Sequence, residues 1–289
     1  MTRKQQTFVL AGLLSFALLA PLAGNSSGLV SLTSLVGQSG RLRALFALPG
    51  ERVAAAADVV SREPGVYNLI KLFRSGAESF HLIVMKPFSA KVNGRIGSYR
   101  LGDWPFENRE PSNPIYANPR GFVEVTPENF STHLSEHFTL GQFITKDQLS
   151  VWPKYVVLDP RLLDKLELTI EELRRQGHPV RGLFVMSGFR TPEYNEQGVG
   201  GGGRSAISRH QFGDAADVYP DDRGKGQMDD LNGDRRVDLK DARILANAAE
   251  AVERLHPELT GGIGIYPATS AHGPFVHIDA RGSRARWGG

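Results

Sequence analysis

Two histidines and one aspartate in the C-terminal half have the residue types and the spacing that suit a metal ion. His210 and Asp217 are separated by six residues, and His277 follows sixty residues after Asp217. Imidazole nitrogen and carboxylate oxygen are zinc ligands, and a catalytic zinc site uses three protein ligands and leaves the fourth position for water. We therefore predict that His210, Asp217 and His277 bind zinc, although a single histidine is more often satisfied by a neighbouring hydrogen bond.

Short strands are the elements that must position these ligands. The apolar runs at 215–219 and 275–280 predict two strands, and side chains on a strand alternate between its faces. His277 and Asp279 therefore share one face. A carboxylate two residues from a ligand histidine can accept a proton from bound water or orient an imidazole, and Asp279 is the first candidate for the general base.

Four segments carry motifs in a consistent order along the chain. They are Ser187 to Asn195 (SGFRTPEYN), Ser208 to Asp217 (SRHQFGDAAD), Val276 to Asp279 (VHID) and Arg284 to Trp287 (RARW). Together they resemble the zinc D-Ala-D-Ala carboxypeptidase family of cell-wall peptidases, which belongs with the lysostaphin-type and hedgehog-type zinc folds and includes murein endopeptidases. The resemblance covers about residues 130 to 289.

The resemblance implies roles for individual residues. The resemblance implies that His210, Asp217 and His277 bind zinc. Arg190 would polarise the scissile carbonyl and stabilise its oxyanion. Tyr194 and Ser208 would join Arg190 in binding substrate, which the resemblance identifies as peptidoglycan peptides. The expected activity is that of a zinc metallopeptidase, either a carboxypeptidase or an endopeptidase. The alternative is a non-catalytic module of the same fold that binds the cell wall or a protein partner.

The position of the general base departs from the family pattern. Several relatives carry Glu or Asp three residues before the last zinc histidine, or a histidine two residues before it. Pro274 and Phe275 occupy those positions here. The base is therefore open between Asp279 and His272, and Asp279 is favoured because its side chain shares a face with His277.

A second metal signal lies at 230–241, between the second and third zinc ligands. The candidate calcium ligands at loop positions one, three, five, seven, nine and twelve are Asp230, Asn232, Asp234, Arg236, Asp238 and Asp241. This spacing is typical of EF-hand calcium loops and resembles those of dockerin modules, and a predicted helix at 239–255 follows it. Arg235 stands where glycine is usual, and no clear entering helix precedes the loop. A solvated acidic turn that caps the next helix is the alternative.

Composition limits the compartment and the partners. The chain has 289 residues, a formal net charge of +3 and no cysteine, so it contains neither a disulfide nor a thiolate metal site. Mild basicity favours contact with an anionic polymer, but the chain lacks the lysine-rich tract or aromatic motif of a nucleic-acid-binding protein. We therefore expect no nucleic-acid partner.

The first 28 residues have the pattern of an export signal. Arg3 and Lys4 precede an uncharged apolar run at 8–24, which ends in small residues. The run also approaches the length of a membrane span, so a retained N-terminal anchor in the inner membrane is the alternative to a cleaved signal peptide. Either reading predicts an exported protein of the periplasm or cell envelope, with membrane contact only through this segment.

The remaining chain is predicted to have an α+β fold. Residues 29–64 are interpreted as a linker with a possible short helix, and 65–126 as a small β-rich module. The predicted zinc domain, 127–289, consists of a small antiparallel sheet flanked by helices, with the calcium loop inserted at 230–241. Its clearest helix, at 159–177, has an aspartate cap, an apolar stripe and a terminal glycine.

Overall fold

The computed structural model describes residues 7–10, 29–30, 37–53, 63–73 and 76–288. The described chain has an α+β fold, as predicted. Most of the predicted export segment lies outside the described residues. In the stretch at 52–60 that predicts the short linker helix, Arg52–Val53 form a strand, and residues 54–60 lie outside the described residues. Within the described ranges, no helix is both long enough and apolar enough to cross a membrane.

The N-terminal half consists mainly of short strands. They are β1 (Thr7–Leu10), β2 (Leu29–Val30), β3 (Ala44–Ala47), β4 (Arg52–Val53), β5 (Gly65–Phe73), β6 (Gly76–Val84), β7 (Lys86–Pro87), β8 (Arg95–Ile96), β9 (Tyr99–Arg100), β10 (Gly121–Val125) and β11 (Lys154–Val156). One sheet has the order β1-β5-β6-β3, and a second has the order β11-β10-β7. Strands β2 with β4 and β8 with β9 form separate pairs.

The C-terminal half contains a five-stranded sheet and three helices. These elements are α1 (Pro160–Arg175), β12 (Phe184–Ser187), α2 (Pro192–Glu196), β13 (Ala215–Tyr219), α3 (Leu239–Leu255), β14 (Gly262–Tyr266), β15 (Phe275–Asp279) and β16 (Ala285–Gly288). The strand order is β12-β13-β15-β14-β16. Pairing is antiparallel except between β14 and β16, so the sheet is mixed at one edge rather than purely antiparallel as predicted.

The register of this sheet aligns the predicted site in one row. Asp217 on β13 lies opposite His277 on β15, and the row continues to Ser187 on β12 and to Gly264 on β14. Residues that are direct neighbours across a sheet present their side chains to the same face. Strand pairing therefore brings Asp217 and His277 together, although sixty residues separate them in the chain.

Helices α1 and α3 pack against each other and against the sheet. Helix α1 begins where Asp159 accepts a hydrogen bond from the backbone N–H of Arg161 at 2.9 Å. Its predicted apolar stripe is fully buried and consists of Leu162, Leu166, Ile170 and Leu173. Each buried leucine of this kind contributes about 1.5–3 kcal/mol to folding. The helix pair therefore supplies much of the packing beneath the site.

The division predicted at residue 126 does not separate two cores. Strand β10, from the predicted β-rich module, pairs with β11 of the predicted zinc domain. Trp104 is buried against Phe122 and Phe189, and its indole Nε1 donates a hydrogen bond to the carbonyl oxygen of Gln211 at 2.9 Å. One continuous apolar core runs from Leu42 to Ile278. The segment at 86–126 is thus part of the body that carries the site.

Candidate metal centre

His210, Asp217 and His277 bring three ligand atoms together. His210 Nε2 lies 3.1 Å from His277 Nδ1 and 3.2 Å from Asp217 Oδ1, and that oxygen lies 3.0 Å from His277 Nδ1. A tetrahedral ion with ligands at about 2.0–2.1 Å separates them from one another by roughly 3.3 Å. The triangle therefore has the dimensions of ligands around one ion. Two imidazoles and one carboxylate suit zinc, and the same set also suits Fe(II).

The ring of His210 is fixed by the 3-10 turn Arg209–Phe212 that carries it. At the start of this turn, Gln211 Oε1 accepts a hydrogen bond from the backbone N–H of Ser208 at 2.9 Å. His210 Nδ1 donates to the carbonyl oxygen of Gly188 at 2.7 Å. Because Nδ1 carries the proton, Nε2 presents its lone pair to the triangle. Burial lowers the pKa of His210, which favours the neutral ring that a metal requires.

His277 uses the opposite ring nitrogen. Its Nδ1 faces the triangle, while its Nε2 lies 3.1 Å from Asp279 Oδ2 and donates to that carboxylate. Burial opposes the charged form of His277, but hydrogen bonds to Asp217 and Asp279 outweigh it and raise the pKa of the ring. A carboxylate behind a ligand histidine fixes the orientation of the ring and increases its basicity towards a metal.

Asp279 lies on the side of the His277 ring that faces away from the triangle, and it is fully buried. It also accepts hydrogen bonds from Arg281 Nε at 2.9 Å and from the backbone N–H of Gly262 at 2.7 Å. Burial alone would raise the pKa of Asp279, but hydrogen bonds from His277 and Arg281 outweigh it and lower the pKa strongly. Such a carboxylate is a poor proton acceptor. The geometry therefore favours the orienting role and does not support Asp279 as the general base.

We expect Asp279→Asn to weaken zinc binding by about 10–100-fold, as loss of a carboxylate behind a ligand histidine typically does. The variant should also lose about 3 kcal/mol of unfolding free energy, because Arg281 then lacks its buried partner. Competition with a chromogenic chelator measures the zinc affinity, and thermal unfolding measures the stability. Asp103→Asn, at an exposed carboxylate, is the control. A variant with wild-type zinc affinity and a reduced rate would restore Asp279 as the base.

Arg190 supports the third ligand from the neighbouring strand end. Its Nη2 donates to Asp217 Oδ2 at 2.5 Å, and its Nε donates to Ser187 Oγ at 2.8 Å. Burial opposes the charged form of Asp217, but the charges and hydrogen bonds of His210 and His277 outweigh it and hold the pKa of that carboxyl well below its usual range. Asp217 is therefore ionised, with Oδ1 at the triangle and Oδ2 on the guanidinium.

A cavity of about 680 Å³ opens in front of the triangle. The other residues predicted for catalysis or substrate binding on this side all line it: Arg190, Tyr194, Ser208 and His272. His272 Nδ1 donates to the carbonyl oxygen of Gly273 at 2.8 Å, so Nε2 keeps its lone pair. The ring of His272 packs edge-on against Phe275 at 5.0 Å. Of the two predicted bases, His272 is the one that faces the cavity.

Two aromatic side chains of the cavity were missed as site residues by the sequence analysis. The ring of Trp287 lies 5.1 Å from the ring of His277, and its Nε1 donates to the hydroxyl of Tyr266 at 2.9 Å. This contact requires glycine at Gly264, because a Cβ atom there would lie 2.2 Å from Trp287. The signal in the sequence is the alternation in GGIGIY at 261–266, where a strand carries glycine next to an aromatic residue.

The predicted calcium loop, 230–241, directs its carboxylates towards its own backbone. Asp230 accepts hydrogen bonds from the N–H groups of Gly233 at 2.8 Å and Arg235 at 2.7 Å, and Asp241 accepts one from Leu231 at 2.8 Å. Among the residues that the structure describes, a cluster of acidic and histidine side chains suitable for a metal is found at the triangle of His210, Asp217 and His277 and not in this loop. Calcium binding stays a prediction.

The backbone of this loop nevertheless follows the shape that the sequence pattern predicts. Arg235, where glycine is usual, has a φ of +68°, so it adopts the left-handed conformation that this position of a calcium loop requires. Asp238 accepts a hydrogen bond from the N–H of Lys240 at 2.7 Å and caps α3, as an exiting helix requires. Within the described part of the chain, no helix leads into the loop.

Comparisons with known proteins identify no relative of this chain. No protein family, no curated protein and no solved structure matches the chain. The likeness to zinc D-Ala-D-Ala carboxypeptidases is therefore a resemblance of motifs. Its support within the molecule is that His210, Asp217 and His277 converge and that Arg190 and His272 line the cavity before them.

Proposed function

We propose that this protein is an exported zinc metallopeptidase that hydrolyses the peptide stems or cross-links of bacterial peptidoglycan. The observation that carries the proposal is a three-ligand centre that adjoins an open cavity, with Arg190 and His272 in the cavity wall. The motif resemblance suggests the substrate class, and the N-terminal sequence pattern suggests the periplasm or cell envelope. Two imidazoles and a carboxylate are a ligand set of hydrolytic zinc sites.

The residues around the centre have complementary roles in this proposal. A bound zinc ion supplies Lewis acidity, which polarises a carbonyl and lowers the pKa of water towards about 7. His272 Nε2 accepts the proton of the attacking water and passes it to the leaving amine. The guanidinium of Arg190, held by Asp217 and Ser187, donates a hydrogen bond to the carbonyl oxygen as negative charge develops there.

Orientation of the ligands falls to groups that touch neither substrate nor reacting atoms. The carbonyl of Gly188 fixes the tautomer of His210, and the carboxylate of Asp279 fixes that of His277. Both partners are positioned by strand ends of the same sheet. The two imidazoles consequently present different ring nitrogens, Nε2 and Nδ1, to the same point.

The proposal is tested by incubating the purified protein with muropeptide monomers and cross-linked dimers and following the products by mass spectrometry. We expect cleavage in the zinc-loaded protein, loss of cleavage with a chelator, and recovery when zinc is added back. Loss of terminal D-Ala from monomers would identify a carboxypeptidase, and conversion of dimers to monomers would identify an endopeptidase. Elemental analysis before the assay distinguishes zinc from iron in the centre.

The same assay separates the enzyme from the alternative of a non-catalytic module. Unchanged monomers and dimers at full zinc occupancy would refute the peptidase proposal. Retention of the protein on insoluble peptidoglycan under those conditions would then support the binding module.

A further inference from the structure

One arginine in the cavity wall differs from the others in its partners. Four arginines line the cavity, and three of them form ion pairs at 2.5 Å with carboxylates. The pairs are Arg190 with Asp217, Arg209 with Asp214, and Arg281 with Asp279. The fourth, Arg204, has no carboxylate partner among the residues that the structure describes. Its charge is therefore not neutralised by the described protein.

Arg204 is nevertheless held in place. Its guanidinium lies over the ring of Tyr194, 4.3 Å from the ring centre, and Nη1 donates a hydrogen bond to the backbone carbonyl of Tyr194. Its backbone N–H donates to the carbonyl oxygen of Gly198 at 2.9 Å. Gly198 leaves room for this side chain, because a Cβ atom there would lie 2.3 Å from Cδ of Arg204. Stacking, a hydrogen bond and a close backbone approach thus fix the side chain before any ligand arrives.

The free part of this guanidinium suits an anion. Nε and Nη2 of Arg204 have no acceptor in the described part of the chain, and these two groups form one edge of the planar fork. That edge matches a carboxylate through two parallel hydrogen bonds. Because Arg204 is already ordered, binding costs little side-chain entropy. A preorganised, unpaired arginine in a cavity wall is therefore suited to recognise a carboxylate.

The charges around the cavity favour the same kind of ligand. Asp217 is the one carboxylate in the described lining, and it is committed to the triangle and to Arg190. Lys146 also lines the cavity, is exposed, and has no ion pair within the described ranges. The lining therefore carries a surplus of positive charge, which attracts an anionic substrate and raises its local concentration.

We propose that Arg204 binds a free carboxylate of the substrate and so makes the cavity selective for peptides that are anionic close to the scissile bond. This inference rests on the proposed peptidase function, whose substrate class it narrows. The carboxylate has two possible sources, the C-terminus of the peptide or a carboxylate within the stem. A terminal carboxylate corresponds to a carboxypeptidase, and an internal one is compatible with an endopeptidase.

The experiment compares three forms of one stem peptide: the free acid, the C-terminal amide, and a form with the internal carboxylate amidated. Steady-state kinetics are measured for the wild type, Arg204→Gln and Arg204→Lys. For the free acid we expect Arg204→Gln to raise KM by about 10–100-fold with little change in kcat, because a hydrogen bond to a charged group is lost. Amidation of the recognised carboxylate should raise the wild-type KM similarly, and the Gln variant should then show no further loss.

Arg204→Lys keeps the charge and loses the planar fork, so its KM should lie between those of the wild type and the Gln variant. Arg243→Gln, at an exposed position on α3 outside the cavity lining, is the matched control and should leave all three peptides unaffected. Zinc content and thermal unfolding of each variant show whether the fold and the centre are intact. One of the two amidated peptides should remove the difference in KM between the wild type and Arg204→Gln. The position of that amide identifies the carboxylate that Arg204 binds.

Failure of this inference can be distinguished from failure of the proposed function. A wild type that cleaves all three peptides with equal KM, and a Gln variant that matches it, would refute carboxylate recognition and leave the peptidase intact. If no peptide is cleaved, calorimetric titration of the zinc-loaded protein with the same peptides decides. Binding of the free acid that depends on Arg204 would then support carboxylate recognition even though the peptidase activity is refuted. Absence of such binding would overturn the inference.

Discussion

His210→Ala is expected to remove zinc binding and peptide hydrolysis together. His210 is buried, and its Nε2 is one corner of a triangle whose edges measure 3.0–3.2 Å, so alanine leaves two protein ligands and no nearby replacement among the described residues. Loss of a group behind a ligand typically weakens metal binding by about 10–100-fold, and loss of a ligand itself should exceed this range. Zinc retained after gel filtration, determined by elemental analysis, measures the effect alongside the peptide assay.

The fold should survive this substitution. The side chain of His210 makes one hydrogen bond outside the triangle, to the carbonyl oxygen of Gly188, and its loss costs about 1 kcal/mol of unfolding free energy. Circular dichroism and thermal unfolding therefore report whether lost activity reflects a lost ligand or a lost structure. His133→Ala, at an exposed histidine outside the cavity lining, should retain zinc and activity. A folded His210→Ala protein that keeps one zinc per chain would refute this ligand set.

The convergence of His210, Asp217 and His277 was predictable because strand periodicity and pairing constrain these side chains. Residues 215–219 and 275–279 are strands, and their antiparallel register sets Asp217 opposite His277. Alternation also correctly put Asp279 on the face of His277. Periodicity carries no information about ring rotation, however. Because Nδ1 of His277 faces the triangle, the carboxylate that meets Nε2 lies behind the ring, a position that favours an orienting role for Asp279 over the predicted role of general base.

The two long helices, α1 and α3, were predictable because their end signals are local. Helix α1 occupies 160–175 within the predicted 159–177, between a capping aspartate and Gly177, whose φ is +90°. Helix α3 has the predicted bounds, and Asp238 caps it. The continuity of the chain across the predicted boundary at 126 was not predictable, because it is not local. Pairing between β10 and β11 and packing of Trp104 connect the two sides, and composition does not show contacts over such long sequence separations.

Positions where the chain violates a local rule were also hard to interpret from sequence. Arg235 in place of glycine counted against a calcium loop, yet the residue adopts the left-handed conformation itself. A non-glycine residue in that conformation costs roughly 1 kcal/mol, which the surrounding hydrogen bonds must offset. Asp230 and Asp234 provide such bonds to N–H groups of the loop. The surrounding hydrogen bonds therefore allow Arg235 to adopt the left-handed conformation, and the residue type at this position does not reveal them.

His272→Gln is expected to lower kcat by about 10²–10⁴-fold, the usual contribution of a positioned general base, while zinc content stays at the wild-type level. Glutamine keeps a hydrogen-bonding side chain at the cavity wall but does not accept a proton near neutral pH. His272 lies outside the ligand triangle, and its ring donates a hydrogen bond to the carbonyl oxygen of Gly273. Steady-state kinetics with a peptide substrate and elemental analysis on the same sample measure both quantities.

His272→Gln and Asp279→Asn should differ in kind, because the two residues act at opposite sides of the centre. The first should lose rate at full zinc occupancy, and the second should lose zinc affinity while each zinc-loaded molecule keeps most of its rate. His256→Gln, at a histidine beside Glu258 and outside the cavity lining, should change neither quantity.

A His272→Gln protein with wild-type kcat would exclude His272 as the base. The described lining offers Asp217 as its one carboxylate, and Asp217 is held by Arg190. Asp279 would then be the remaining predicted base, and the zinc affinity of its Asn variant decides whether it acts as one.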